Sequence, residues 1–335
     1  MTSPKSLNRW ICLHPSSATM DGSRVAMSLD NRGLAYGDGF FTTMGVIDGQ
    51  ILWLAYHQQR LASHAKALHL KLDSDSLLAL LAMLKTHAKQ LQQGMLKLIV
   101  TRAAQVVRGY GYAPNTSGSA CEVWLKSSAM DVATAQALPL PDGQFIPLQS
   151  AASAICLTSQ IACLPPPLAG LKNLNRLDNV LASGELNAIK ARSLKSQLLK
   201  SKAVLPLGEG LLRDMSGQWV EGTMSNVFYQ LSASRLVESP VAKSSNCPHP
   251  QNNSNYLSTG QWFTPSMAQS GVAGVMRQVI IDGLATSENP VIVRSLQDED
   301  LPHLSQLFFC NALRGIMPMT SLRLLSGEVV GFEAI

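Results

Sequence analysis

Two hydrophobic periods alternate along this chain, and that alternation confines it to folds in which strands and helices share a core. Phe40 to Val46 is aromatic and β-branched, follows a glycine-punctuated turn region beginning at Asn31 (NRGLAYGDG), and reads as a strand. From His57 to Leu68 the apolar residues Leu61, Ala65 and Leu68 recur at helical spacing. A second helix is expected from Ser74 or Asp75, either an acceptable N-cap, to a point before Gly94. Leu96, Leu98 and Val100 then alternate with polar neighbours, which predicts a strand with one buried face. These elements define an α+β domain over residues 1–135.

Residues 136–149, rich in proline and containing Gly143, read as an interdomain linker. A second domain is expected over 150–335. It opens with a strand near Ala154 to Ala162, a turn at Pro165 to Pro167 and a helix from about Asn175 to Arg192. Gly274, Val275 and Met276 open a further helix running to Leu284. Two stretches, 193–206 and 232–260, read as surface insertions; the second contains KSSNCPHPQNNSN, too polar to pack.

A chain of 335 residues suffices for two cores. With 46% hydrophobic and 15% charged residues its composition is globular. No apolar run reaches the length of about 18 residues that a membrane helix needs. Met1 to Ile11 carries Lys5 and Arg9 without an apolar core for a signal peptide, so a cytoplasmic location is expected. The six cysteines form no CxxC pair and no metal-ligand spacing with histidine, so they are read as reduced, buried small hydrophobes and no metal is expected. The net charge of +5 is diffuse, which gives nucleic-acid binding little support and suits a small anionic substrate.

Certain residues suit particular chemistry by type and setting. Lys172 lies between the apolar run Pro165 to Gly170 and an amphipathic helix, and an apolar setting depresses an amine's pKa as covalent catalysis requires. Arg60 can give a forked pair of hydrogen bonds to an anion. A helix opening at Gly274 to Met276 presents free backbone N–H groups to an anion, and glycine there removes a Cβ from the approach.

Five stretches in order, GDGFFTT at Gly37 to Thr43, HQQRL at His57 to Leu61, GLKNLNRLDNV at Gly170 to Val180, EGTMSNVF at Glu221 to Phe228 and SGVAGVMRQ at Ser270 to Gln278, resemble the fold-type IV pyridoxal-phosphate enzymes, the class-IV aminotransferase family, across nearly the whole chain. The resemblance implies a smaller N-terminal α/β domain and a larger C-terminal mixed α/β domain with the cofactor between them. It also implies a homodimer in which a loop of one subunit closes the other's site. Lys172 would carry pyridoxal 5'-phosphate, Glu221 would face the pyridine nitrogen with Asn226 on the following strand, and Arg60 with Gly274, Val275 and Met276 would hold the phosphate.

Within that family, Arg108 in VVRGYGY, the pair Thr42–Thr43 and Asn311 in FFCNALRGIMP resemble the lyase branch. This implies conversion of 4-amino-4-deoxychorismate to 4-aminobenzoate and pyruvate. Lys172 and Thr43 would be catalytic, Arg108 and Asn311 would hold substrate carboxylates, and Asn311 would lie near the cofactor. By residue type alone, Thr43 fits an ordinary strand position equally well and Arg108 a solvated loop charge. The alternative is a class-IV aminotransferase for D-amino or branched-chain amino acids.

Overall fold

The computed structural model describes residues 8–14, 27–113, 116–132, 135–139, 144–197, 205–232, 257 and 260–332. The chain divides into two units, residues 1–132 with 171–176, and residues 133–170 with 177–335.

The first unit is a five-stranded antiparallel sheet with helices against it. In chain order its elements are β1 (Trp10–His14), α1 (Arg32–Tyr36), β2 (Gly39–Ile47), β3 (Gln50–Ile51), α2 (Leu54–Ala67), α3 (Ser74–Leu91), β4 (Gly94–Arg102), α4 (Thr116–Ser119) and β5 (Cys121–Ser128). The strand order is β1-β5-β4-β2-β3. Strand β2 buries Phe40, Thr42 and Met44 on one face and leaves Phe41 and Thr43 half-buried on the other, the period-2 alternation of a strand. The buried face packs on Leu61 and Ala65 of α2 and on Leu77, Leu80, Leu81 and Leu84 of α3. Helix α3 is capped by Asp73, one residue before the two expected caps, whose carboxylate accepts from Ser76 N at 3.0 Å.

The second unit contains β6 (Gln136–Pro139), β7 (Phe145–Pro147), β8 (Ala152–Ile161), α5 (Leu177–Gln197), β9 (Leu207–Asp214), β10 (Trp219–Gly222), β11 (Asn226–Leu231), β12 (Phe263–Thr264), α6 (Val275–Gly283), β13 (Ile292–Val293), β14 (Leu304–Asn311), β15 (Gly315–Arg323) and β16 (Val329–Gly331). Its nine-stranded sheet runs β10-β9-β8-β15-β14-β11-β12-β13, with β16 on β15. A further pairing of β10 with β11, through Glu221 opposite Asn226, closes six of these strands into a ring. Inside are Trp219, Val227, Tyr229, Leu307, Phe309 and Met319.

Two stretches differ from expectation. Residues 136–149 are not a plain linker: β6 and β7 pair antiparallel, and Leu148 bridges Ile316. Leu138 and Ile146 are buried there, and Pro139 and Pro147 fall at strand ends, where a missing N–H is tolerated. The segment 171–176 leaves the C-terminal part of the chain to join the first unit, because its backbone pairs with β2. Of the two expected insertions, α5 extends to Gln197, while 198–204 and most of 233–259 lie outside the described residues. Cys121, Cys156 and Cys310 are buried as expected, but Cys163 is exposed.

Candidate active site

In the first unit, Lys172 is held by its backbone on both sides. Its carbonyl accepts from Phe41 N at 3.0 Å, its N–H donates to His64 Nε2 at 2.9 Å, and the next residues continue the pairing through Leu174 N to Gly39 O at 3.1 Å. The half-buried ammonium lies 4.7 Å from the centre of the Phe41 ring. Thr43 follows Phe41 by two residues and therefore stands on the same face of β2. Strand β2 thus presents an aromatic ring to the lysine and, two residues on, a hydroxyl on the same face.

Helix α2 supports this arrangement from the buried side. His57, Arg60 and His64 are all buried and recur at i, i+3 and i+7, one face of the helix. Burial pushes the Arg60 guanidinium down to about 10, so it remains a cation at neutral pH, and a buried guanidinium is a strong receptor for a phosphate or carboxylate. His64 is driven to about 3, first by burial and then by the charges of Arg60, Arg176 and Lys172. Its ring is therefore neutral at physiological pH. Because Nε2 accepts the Lys172 N–H, the ring proton sits on Nδ1, which faces Ser63 Oγ at 3.3 Å. His57 is likewise held neutral by burial and then by Arg60, with Nδ1 2.8 Å from Thr42 Oγ1.

Arg108 is exposed on the loop after β4. That loop is anchored by the buried Arg32, which donates to Gly109 O at 3.2 Å and Tyr110 O at 2.9 Å. Arg32 and Arg102 both pair with Asp38 at 2.9 Å. The aspartate of the GDG turn thus ties the start of β2 to the base of the arginine loop.

In the second unit, Glu221 is 3% exposed and both its oxygens are engaged. Oε2 accepts from Val272 N at 2.8 Å and Oε1 from Asn179 Nδ2 at 3.4 Å. Asn226, opposite it in the ladder, donates to Val272 O at 2.8 Å. The two residues therefore grip both backbone groups of one residue, Val272, in the segment leading into α6. A Cβ on Gly274, the N-cap of α6, would come 1.9 Å from Asn226 Oδ1, so glycine is required there by the asparagine as well as by any anion. Val275 and Met276 are buried and begin α6, whose first N–H groups have no carbonyl within the helix. Asn311 ends β14: its Oδ1 accepts from Leu313 N and Arg314 N, and its Nδ2 reaches Met224 O at 3.4 Å.

The first unit thus collects Lys172, Thr43, Arg60 and Arg108, and the second collects Glu221, Asn226, Gly274, Val275, Met276 and Asn311. Sequence reasoning passed over His64, His57, Arg32, Asp38 and Glu209. His64 was recoverable, since it lies one helical turn beyond Arg60 on the same face.

The first unit offers a half-buried lysine over an aromatic ring and a buried guanidinium, and the second, taken by itself, a buried carboxylate and a helix N-terminus; each is a type of group that pyridoxal-phosphate chemistry uses. The chain belongs to the class-IV aminotransferase family, which matches residues 39–322. It is similar to the crystal structure of 4-amino-4-deoxychorismate lyase from Pseudomonas aeruginosa, with 28% identity, a TM-score of 0.66 and coverage of 93% of this chain and 92% of that one. The aminodeoxychorismate lyase of Vibrio harveyi is 22% identical over 297 residues, 88% of this chain and 86% of that protein. The branched-chain amino acid aminotransferase of Escherichia coli shares the fold, with a TM-score of 0.61, 18% identity and coverage of 92% and 84%. Among the described residues no helix is long and apolar enough to cross a membrane.

Proposed function

We propose that the protein is a pyridoxal-phosphate-dependent lyase that converts 4-amino-4-deoxychorismate to 4-aminobenzoate and pyruvate, a step toward folate. The observation that carries this reading is Thr43. A hydroxyl on the same strand face as Phe41, whose ring lies against the Lys172 ammonium, would be available as a proton relay to the leaving group. The similarity to the Pseudomonas aeruginosa lyase supports it.

Arg60 and the first N–H groups of α6, at Val275 and Met276, would hold the cofactor phosphate, with Gly274 and Asn226 shaping the approach. Glu221 would keep the pyridine nitrogen protonated. When bound, the cofactor supplies an electron sink for the carbon that bears the substrate nitrogen. Lys172 would take the proton from that carbon as the general base. The ring carbon–oxygen bond to the enolpyruvyl group then breaks, the electron pair of the lost C–H completes the aromatic ring, and Thr43 passes a proton to the departing group. Arg108, on its anchored loop, and Asn311 would hold the substrate's carboxylates. The atoms of the substrate equal those of the two products, so the reaction consumes no water, oxidant or amino acceptor.

The family's homodimer is part of this proposal, with the Arg108 loop at the partner's site. Sedimentation at the dimer mass is expected, and a fully active monomer would count against it.

The rival reading, an aminotransferase for D-amino or branched-chain acids, has a likeness of fold in its favour. The two part on the half-reaction. Mixing the holoenzyme with D-alanine or leucine, without a keto acid, is expected to leave the cofactor spectrum nearly unchanged over many turnovers' worth of time. Rapid conversion to the pyridoxamine form would instead support the aminotransferase.

A further inference from the structure

We propose that Glu209 is a positioning residue for the cofactor's ring-nitrogen partner, acting through the turn that joins β10 to β11. The inference rests on the reading that Glu221 faces the pyridine nitrogen. Glu209 lies on β9, is 4% exposed, and its carboxylate gathers four donors. Oε1 accepts from Gly210 N at 2.9 Å, Thr223 N at 3.1 Å and Thr223 Oγ1 at 2.6 Å, and Oε2 accepts from Ser225 Oγ at 2.8 Å. Buried carboxylates are costly unless every lone pair is used in this way. Three of the four donors belong to the turn 222–225, which Gly222 N closes onto Ser225 O at 2.7 Å.

The turn is the hinge of the site. Glu221 stands immediately before it and Asn226 immediately after, paired across the ladder, and both hold Val272 at the approach to α6. A Cβ on Gly222 would lie 2.9 Å from Glu209 Cγ and 2.3 Å from Ser225 Oγ, so the turn is packed directly on the Glu209 side chain. Asn311 Nδ2 reaches the same turn at Met224 O. A single buried carboxylate therefore sets the spacing between the ring-nitrogen residue, the asparagine beside Gly274 and the N-terminus of α6. Outer-shell residues that orient a binding group typically change affinity by about 10- to 100-fold when removed.

Glutamine should largely replace Glu209. Its oxygen keeps the three donors on Oε1, and its amide can donate to Ser225 Oγ, whose hydroxyl rotates to accept. Alanine leaves all four donors without an acceptor. The test titrates the apoenzyme with pyridoxal phosphate and records the visible band of the bound cofactor for wild type, Glu209→Ala, Glu209→Gln, Glu221→Gln and the Glu209→Ala/Glu221→Gln pair, alongside the melting temperature of each. Expected for Glu209→Ala are a dissociation constant raised at least about 10-fold and a band shifted in the direction that Glu221→Gln shifts it. Glu209→Gln should lie within about 3-fold of wild type. The paired variant should show little band shift beyond that of Glu221→Gln alone, as expected of residues acting as one unit.

A lowered melting temperature with wild-type affinity and band for Glu209→Ala would mean a purely structural role and would overturn the inference. Should Glu209→Ala fail to accumulate, Thr223→Val withdraws the shortest donor while leaving Glu209 in place. It should raise the constant by roughly 3-fold with the same direction of band shift, and wild-type values would again overturn the inference. A Glu221→Gln protein with an unshifted band would refute the ring-nitrogen reading itself. A shifted Glu221→Gln beside an unshifted Glu209→Ala would refute the Glu209 role alone.

Discussion

Replacing Lys172 with alanine is expected to lower turnover by about 10⁴-fold or more, since in the proposed mechanism it removes the cofactor's attachment point and the base together. The fold should survive. Lys172 is fixed by its backbone, through Phe41 N, His64 Nε2 and the pairing of Leu174 with Gly39, and alanine retains every one of those bonds. Among what the fold loses is the cation over the Phe41 ring, worth about 0.5–1 kcal/mol at a half-exposed site. Borohydride reduction of the wild-type holoenzyme followed by peptide mapping should place the pyridoxyl label on Lys172. A label on another lysine, or an alanine variant that keeps a tenth of its turnover, would remove the residue from the mechanism.

Glu221→Gln is the second large effect. The amide cannot hold a proton on the pyridine nitrogen, so the electron sink weakens and turnover should fall at least about 100-fold, the scale of losing one preorganised electrostatic contact. Cofactor should still bind, because Arg60, Lys172 and α6 are untouched. Stability should change little. Glutamine's oxygen can keep the Val272 N–H, and its amide can donate to Asn179 Oδ1, an atom with no hydrogen-bond partner among the described residues, once the asparagine amide turns over. Steady-state turnover near wild type in a folded, cofactor-loaded Glu221→Gln protein would exclude the assigned role.

The particular elements show why some of this was legible in the sequence and some was not. Leu61 and Ala65 on α2, and Leu96, Leu98 and Val100 on β4, announce their structure because a helix and a strand each write their period into adjacent residues. Lys172, Glu221 and Gly274 could be singled out because each sits in a short local motif. His64 Nε2 meets the Lys172 N–H across a separation of 108 residues, and that contact has no signature at either end. Glu209 carries none either: it sits among glycines and leucines in GEGLL, and three of its four donors come from a turn 14 and 16 residues away. The strand pair within 136–149 was not legible for a related reason. Its prolines and Gly143 suggest an unpaired chain, while Leu138 and Ile146, too few to establish a period, are the residues that bury. The surroundings of Asn311 and Arg108 show the same limit, since the Asn311 turn and the Arg32 anchor of the loop are tertiary arrangements.

The most direct test of the lyase reading is to supply the holoenzyme with 4-amino-4-deoxychorismate in the absence of any keto acid and follow both products. The expected result is steady, equimolar release of 4-aminobenzoate and pyruvate over many turnovers, with the cofactor spectrum unchanged at the end. No 4-aminobenzoate, together with brisk transamination when D-alanine or a branched-chain amino acid is offered with a keto acid, would contradict it.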